Sequence, residues 1–361
     1  MTDGIDQKIQ KLIRPEIRAL RAYHVPPAHG LIKLDAMENP YRWPEEIQRA
    51  WLEVLKDVEL NRYPDPSAHE LRMQLRTAWG LAPGLDLLLG NGSDELIQIL
   101  LLAVATPDAC VLAPAPSFVM YSMIATFAGM KFVPVSLAPD FALDMAVMRQ
   151  TIATYKPAVV FLSYPNNPTG NLFNADDIET IIRETEGLVV VDEAYHPFCQ
   201  QSFLDRLAHY DNLLVLRTFS KLGLAGLRLG VLVGASRWLH EFDKLRLPYN
   251  INSLTQASVR FALDHAEILE AQAAQIRKDR ESLLRALTAL PGVRPWPSAA
   301  NFILFQVEGR SATDVYEHLR HRHVLIKNLD TAGGPLRGCL RVTVGSPSEN
   351  AAFLAALEKS L

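Results

Sequence analysis

Six short, nearly uninterrupted apolar runs mark the middle of the chain: Cys110–Ala113, Lys131–Leu137, Ala158–Ser163, Leu188–Asp192, Leu213–Arg217 and Leu229–Val233. A strand with one wetted face alternates apolar and polar residues, whereas a strand covered on both faces has little reason to. Most of these runs are separated by helix-length segments, and that alternation predicts an α/β fold built on a mostly parallel sheet. In open sheets of this kind ligands bind beyond the carboxyl ends of the strands. The residues that follow each run are therefore the first place to look for chemistry.

The rest of the chain reads differently. From Ser253 to Leu290 the pattern is helical, with no Gly or Pro until Pro291-Gly292, so one long helix is expected to link two domains. Beyond it come a strand Phe302–Val307, a helix near Ser311–His321, a strand Cys339–Val344 and a last helix opening at Ser348 with Glu349 and Asn350 in its first turn. The expected organisation is a loop-rich N-terminal arm (1–50) packing on the small domain or on a partner subunit, a large domain (51–252), and a linking helix with a small α+β domain (253–361).

Of the 361 residues 49% are hydrophobic and 21% charged, which excludes a disordered chain, and the net charge of −4 argues against a nucleic-acid platform. Small molecules are the expected partners. The three cysteines, Cys110, Cys199 and Cys339, lie far apart, without the spacing of a zinc site or a disulfide framework. The N-terminus has no apolar leader and nowhere do 18 apolar residues run together, so a cytoplasmic protein is expected.

Lys221 stands in the run Arg217-Thr-Phe-Ser-Lys-Leu-Gly-Leu-Ala-Gly-Leu-Arg228, directly after an apolar strand. An amine able to form a Schiff base, downstream of a strand that ends in Asp192 and beside Ser220 and Arg228, is what a pyridoxal phosphate site needs. The plain alternative is a surface lysine. Asp192 can pair with a protonated pyridine nitrogen and Tyr195 can hydrogen-bond a phenolic ring oxygen, or the first caps the next segment and the second packs with its hydroxyl in water. Gly90-Asn-Gly-Ser93-Asp94-Glu95 offers a phosphate a helix N-terminus, or Ser93 simply caps that helix. Ser163-Tyr-Pro-Asn166-Asn167-Pro-Thr-Gly170 has turn composition, yet one of its asparagines can serve the same ring oxygen. Arg341, alternating with apolar residues in a strand, is either a solvent-exposed charge or a clamp for a carboxylate or phosphate.

Taken together, Lys33–Tyr41, Asn61–Pro64, Gly90–Glu95, Pro114–Tyr121, Tyr164–Gly170, Asp192–Tyr195, Arg217–Arg228 and Leu340–Gly345 resemble the fold-type I pyridoxal phosphate aminotransferases, and within them the histidinol-phosphate aminotransferase family. The resemblance spans the chain nearly end to end. It implies pyridoxal 5′-phosphate as cofactor, Lys221 as the Schiff-base lysine and proton carrier, Asp192 at the pyridine nitrogen, and Tyr195 and Asn167 at the phenolic oxygen. It further implies a phosphate held by Ser93, the Asp94 amide, Ser220 and Arg228, with Tyr63 reaching the phosphate of a neighbouring subunit in a homodimer. Arg341 would bind the anionic end of the substrate, helped by Tyr23 and Asn39.

Two positions depart from the family pattern. Phe118 replaces a ring-stacking tyrosine and loses a hydroxyl, while Lys327 stands where a second substrate-binding arginine is common, a point charge in place of a fork. The implied reaction exchanges the amino group between histidinol phosphate and 2-oxoglutarate, as in histidine biosynthesis. Aromatic amino acid transamination and threonine-phosphate decarboxylation are the alternatives that keep the cofactor. A regulator that keeps the fold without catalysis is the reading from another class, and the arm carries no basic helix-turn-helix to favour it. A nicotinamide dehydrogenase is set aside, since no Gly-x-Gly-x-x-Gly opens a helix.

Overall fold

The structure, a computed structural model, describes residues 2–22 and 25–361. The arm contains the helices Thr2–Leu12 and Pro15–Arg18 and is less loop-rich than its prolines suggest. Its strand β1 (Ile32–Lys33) then leads into the large domain.

Seven strands form the main sheet: β2 (Leu85–Asn91), β3 (Cys110–Ala115), β4 (Lys131–Ser136), β5 (Val159–Ser163), β6 (Leu188–Asp192), β7 (Leu213–Thr218) and β8 (Leu229–Ala235). Their order is β2-β8-β7-β6-β5-β3-β4. Five neighbouring strands, β3 to β7, run parallel, and β8 is antiparallel to both β7 and β2. The apolar runs have the cause expected of them. Val160, Leu162, Val189 and Val191 join the core on one face, while Val159, Phe161, Leu188 and Val190 join the core on the other. Helices cover both faces, so neither parity of a central strand meets water.

Strand β2 escaped the sequence reading, because Asp86 interrupts its apolar run and Gly90 reads as a turn. Gly90 instead pairs with Gly230 of β8. A Cβ on Gly230 would stand 2.5 Å from the carbonyl carbon of Gly92, so the two bare backbones let the following helix start directly over the sheet edge.

The helix expected over Ser253–Leu290 is two helices, Ser253–Asp264 and Ala266–Ala289. His265 separates them at φ −124, ψ 35, with its Nδ1 2.9 Å from the Phe261 carbonyl and its ring stacked on Phe261. The side chain thus closes the last turn of the first helix, a device that no glycine or proline announces. The first helix packs with the large domain, where Val259 and Ala262 enter its core. Only the second, ~36 Å long at 1.5 Å per residue, crosses to the small domain.

The small sheet comprises β9 (Val293–Pro295), β10 (Phe302–Val307), β12 (Lys327–Asn328) and β13 (Cys339–Thr343), all antiparallel in the order β12-β13-β10-β9. Strand β11 (Val324–Leu325) pairs instead with β1, in parallel, which draws Leu34 and Met37 into the small-domain core. The last helix, Pro347–Glu358, begins earlier than expected: Ser346 caps it reciprocally with Glu349, and Pro347 fills the first helical position.

Candidate active site

Strand parity decides what meets at the carboxyl edge of the main sheet. Asp192 follows Val191, so its side chain takes the face of Val190 and enters the protein, where it is 3% exposed. Its Oδ2 accepts from the Tyr121 hydroxyl at 2.7 Å and its Oδ1 from the Ala194 amide at 3.0 Å. Burial pushes its pKa up to about 6, against those two hydrogen bonds. Glu193, of opposite parity, is buried on the other face in an ion pair with Arg217 at 2.9 Å and takes no part in this site.

After β7 the chain coils tightly through Ser220–Leu224, with Gly223 at φ 115. A side chain there would be strained, and its Cβ would lie 2.9 Å from the Asn39 amide nitrogen. The coil directs Lys221 inward, and its Nζ donates to the Ala36 carbonyl at 3.0 Å. Burial first, then the positive charge of Arg341, lower its pKa to about 8. The amine is thereby brought within reach of its neutral, nucleophilic form.

A third group of donors lies at the start of the helix Ser93–Val104. Gly92, not Ser93, holds the capping position, and no side chain caps the helix, so its first amides lack the usual internal partner. Arg228, at φ 52, donates through Nη1 to the Ser220 hydroxyl at 3.3 Å and faces Asp94 Oδ2 at 3.7 Å. A Cβ on Gly92 would stand 2.5 Å from Arg228 Nη2. The glycine therefore admits the guanidinium to the uncapped helix end, a combination suited to an anion. Burial also raises the pKa of Asp94, whose Oδ1 has no hydrogen-bond partner among the described residues.

The turn after β5 assigns its two asparagines differently. Asn166 is consumed by the turn, donating to Thr169 Oγ1 at 2.7 Å and to the Pro116 carbonyl at 3.1 Å. Asn167 faces the site, donates to the Tyr195 hydroxyl at 3.2 Å and accepts from Arg341 Nη1. Tyr195 is thus buried beside Asn167 instead of holding its hydroxyl in water.

Ser93, Asp94, Phe118, Asn167, Asp192, Tyr195, Ser220, Lys221 and Arg228 line one cavity. A second cavity shares Met37, Phe118 and Asn167 with the first and adds Lys327 and Arg341. Arg341 is no solvent-exposed charge: it is 6% exposed, and Nη2 donates to the Asp35 carbonyl at 3.0 Å. Lys327 is its cross-strand neighbour, and burial followed by the Arg341 charge lowers the lysine pKa.

Asn39 departs from its expected place. Its amide nitrogen donates to Gln272 Oε1 at 2.9 Å and its oxygen accepts from the Tyr41 amide at 2.8 Å, so both ends tie the arm together and to the long helix. It lines neither cavity. Tyr63 also lies away from its own chain's cavities, 81% exposed and stacked on Tyr249 at 4.4 Å. Tyr23 lies outside the described residues. Two residues were missed: Met37, held at φ 55 beside both cavities, and Tyr121. Tyr121 follows Phe118 by three, one helical turn, which was the available signal; nothing local marks Met37.

The family model for aminotransferase class I and II matches residues 29–357. The chain belongs to the class I and II aminotransferases. A Nitrosococcus oceani relative named histidinol-phosphate aminotransferase 2 is 54% identical over 351 residues, covering 97% of this chain and 98% of the relative. A Cupriavidus pinatubonensis relative of the same name is 51% identical over 358 residues, covering 98% of this chain and 97% of the relative. Among solved structures, the histidinol-phosphate aminotransferase of Sinorhizobium meliloti, in complex with pyridoxal-5′-phosphate, superposes with a TM-score of 0.86 at 23% identity and covers 97% of each chain. That likeness is one of fold. As in other aminotransferases, the site has to handle an amino group, a proton and anionic substrates in turn.

Proposed function

We propose that this aminotransferase moves the amino group of L-histidinol phosphate to 2-oxoglutarate, giving imidazole acetol phosphate and L-glutamate, with pyridoxal 5′-phosphate as cofactor. The observation that carries the reading is a single cavity holding an amine with a pKa near 8, a fully buried carboxylate and an arginine–serine corner at a helix start. The donor set fits the cofactor, because the space left by Gly92 lets Arg228 and the first helical amides converge on one anion site. Bound there, the cofactor would supply an aldehyde to take up the amino group and a ring to spread negative charge from the substrate carbon.

The chain's own residues do the rest. Ser93, the Asp94 amide, Ser220 and Arg228 hold the phosphate, and Phe118 covers the ring. Asp192, ionised above about pH 6, would keep a proton on the ring nitrogen, while Asn167 and Tyr195 would donate to the ring oxygen. Lys221 would anchor the cofactor and, once its Nζ is free and neutral, would serve as the base for the proton on the substrate carbon. Arg341 and Lys327 bind the phosphate of one substrate and the distal carboxylate of the other, which an arginine fork and a point charge both tolerate.

The homodimer enters on a surface observation. Tyr63 and Tyr249 stack on each other at the surface, and Leu60 and Leu247, three and two residues away in sequence, are also exposed, an apolar surface that a partner would cover. A second copy would bury it and bring Tyr63 to the neighbouring phosphate. The reading places the enzyme in the cytoplasm, in keeping with its three free thiols. Among the described residues no helix is long and apolar enough to cross a membrane.

The test is a half-reaction. Purified holoenzyme is mixed in turn with histidinol phosphate, phenylalanine and threonine phosphate, and conversion of the bound cofactor to its amine form is followed by absorbance. Histidinol phosphate should convert fastest. Rapid conversion by phenylalanine with none by histidinol phosphate would transfer the assignment to aromatic substrates, and carbon dioxide release from threonine phosphate would transfer it to decarboxylation.

A further inference from the structure

We propose that Tyr121 is a positioning residue for Asp192, its hydroxyl fixing the carboxylate in the orientation and charge state that hold a cationic ring nitrogen. The inference rests on the cofactor reading above and adds a residue from a different element. Tyr121 sits near the start of the helix Met120–Phe127, is 0% exposed, and lies flat on Phe161 at 4.6 Å with an interplanar angle of 7°. That stack leaves the ring no other place to go. It also meets Phe118 in a T-shaped contact at 5.5 Å, so one side chain braces both Phe118 and the carboxylate.

A phenol has one proton to donate, and here it is given to Asp192 Oδ2 at 2.7 Å. Burial, and then the Asp192 charge, hold the phenol well above its ordinary pKa of 10, so it stays a donor throughout the working range. With Ala194 N on Oδ1, each carboxylate oxygen carries one fixed donor, which sets the carboxylate plane. The other charged groups that act on Asp192 are the carboxylates of Asp94 and Glu193, and both oppose its ionisation. Among the described residues, the Tyr121 hydrogen bond is the largest influence that favours it. Its loss would leave the Ala194 amide as the remaining hydrogen bond that opposes the effect of burial.

Pyridoxamine phosphate is the suitable probe, because it has no aldehyde to react with Lys221. Its affinity for the cofactor-free full chain is measured from pH 5 to 9 in the wild type, in Tyr121→Phe, in Asp192→Asn and in the double variant. In the wild type, affinity should fall below about pH 6 as Asp192 takes up a proton. Tyr121→Phe should move that limb up by about one pH unit, and should add nothing in the Asp192→Asn background. In the holoenzyme kcat should drop about ten-fold with KM changed less than about two-fold, the split expected of a residue that acts on the reacting ring and not on substrate binding.

Tyr121→3-fluorotyrosine, which keeps the shape and strengthens the donor, should move the limb down, and it serves equally if the phenylalanine variant does not fold. An unmoved limb in these variants, or the same shift produced by Phe161→Leu, would overturn the proposal in favour of simple packing. Failure of the wild type to bind pyridoxamine phosphate would overturn the cofactor reading and this inference together.

Discussion

The cofactor corner and the substrate end of this site are built in opposite ways. Asp192 ends one buried strand of the main sheet, and Asn167 and Lys221 follow two others within a few residues, so their positions are fixed by local chain geometry and strand parity. The substrate end is assembled from the arm, β12 and β13, segments that meet only through tertiary packing. Asp35, Ala36 and Met37 join the two halves: Asp35 O receives Arg341, Ala36 O receives Lys221, and Met37 O receives the Asn301 amide at 2.9 Å. In the proposed reading, the cofactor chemistry thus sits at the ends of main-sheet strands, and substrate recognition sits where the arm, β12 and β13 meet.

The sharpest way to test that division is to strike each half in turn. Lys221→Ala should reduce kcat on the order of 10⁴-fold, the upper range for a general base that is also the covalent anchor. Borohydride treatment followed by peptide mapping should place a pyridoxyl group on Lys221 in the wild type and nowhere in the variant. Arg341→Gln should act differently. It removes a fork from the anionic end and should raise KM for both substrates about 10–100-fold, at one or two charge-assisted hydrogen bonds. Rate at saturation should change far less. Equal losses in kcat from both variants would mean that the two halves are not separable.

The buried carboxylate of the cofactor corner carries a stability cost. Asp192 has a folded pKa near 6 against an ordinary 3.8, so with respect to this group the cofactor-free protein is most stable below pH 3.8 and loses that contribution as pH rises through 6. At about 1.4 kcal/mol per pH unit the cost at neutral pH is ~3 kcal/mol. Asp192→Asn should therefore raise the denaturation midpoint of the cofactor-free protein at pH 7 to 8 while weakening cofactor binding. A variant less stable than wild type at pH 7 would mean that the hydrogen bonds of Tyr121 and Ala194 outweigh burial.

The same contrast explains how far the amino-acid sequence could be read. Continuous apolar runs announce strands buried on both faces, and residues next to their ends are site candidates by position; that made Asp192 and Lys221 candidates beside their plainer readings, whereas position left Asn166 and Asn167 equivalent and only the resemblance named Asn167. Tyr121 required knowing that its helix lies over the Asp192 face, which strand parity decides but sequence order does not. Arg341 alternates with apolar neighbours, which leaves a surface charge and an anion clamp both open, because nothing in β13 reveals that β12 and the arm close over it. The division at His265 was hidden for another reason, since a side-chain bond to a carbonyl replaced the glycine or proline that ordinarily marks a break.

Asn39 gives the finest discrimination between the two halves, because it belongs by sequence to the substrate end and by contact to the scaffold. Its amide bonds to Gln272 and Tyr41 and crowds Gly223, two residues beyond Lys221. If it serves as a strut, Asn39→Ala should cost about 1 kcal/mol of stability through lost hydrogen bonds and lower kcat a few-fold by loosening the coil that aims Lys221. KM for histidinol phosphate should be nearly unchanged, since neither cavity contains the residue. A KM increase of ten-fold or more with stability intact would mean that Asn39 swings into the site when substrate binds, and the boundary between scaffold and recognition would have to be redrawn through the arm.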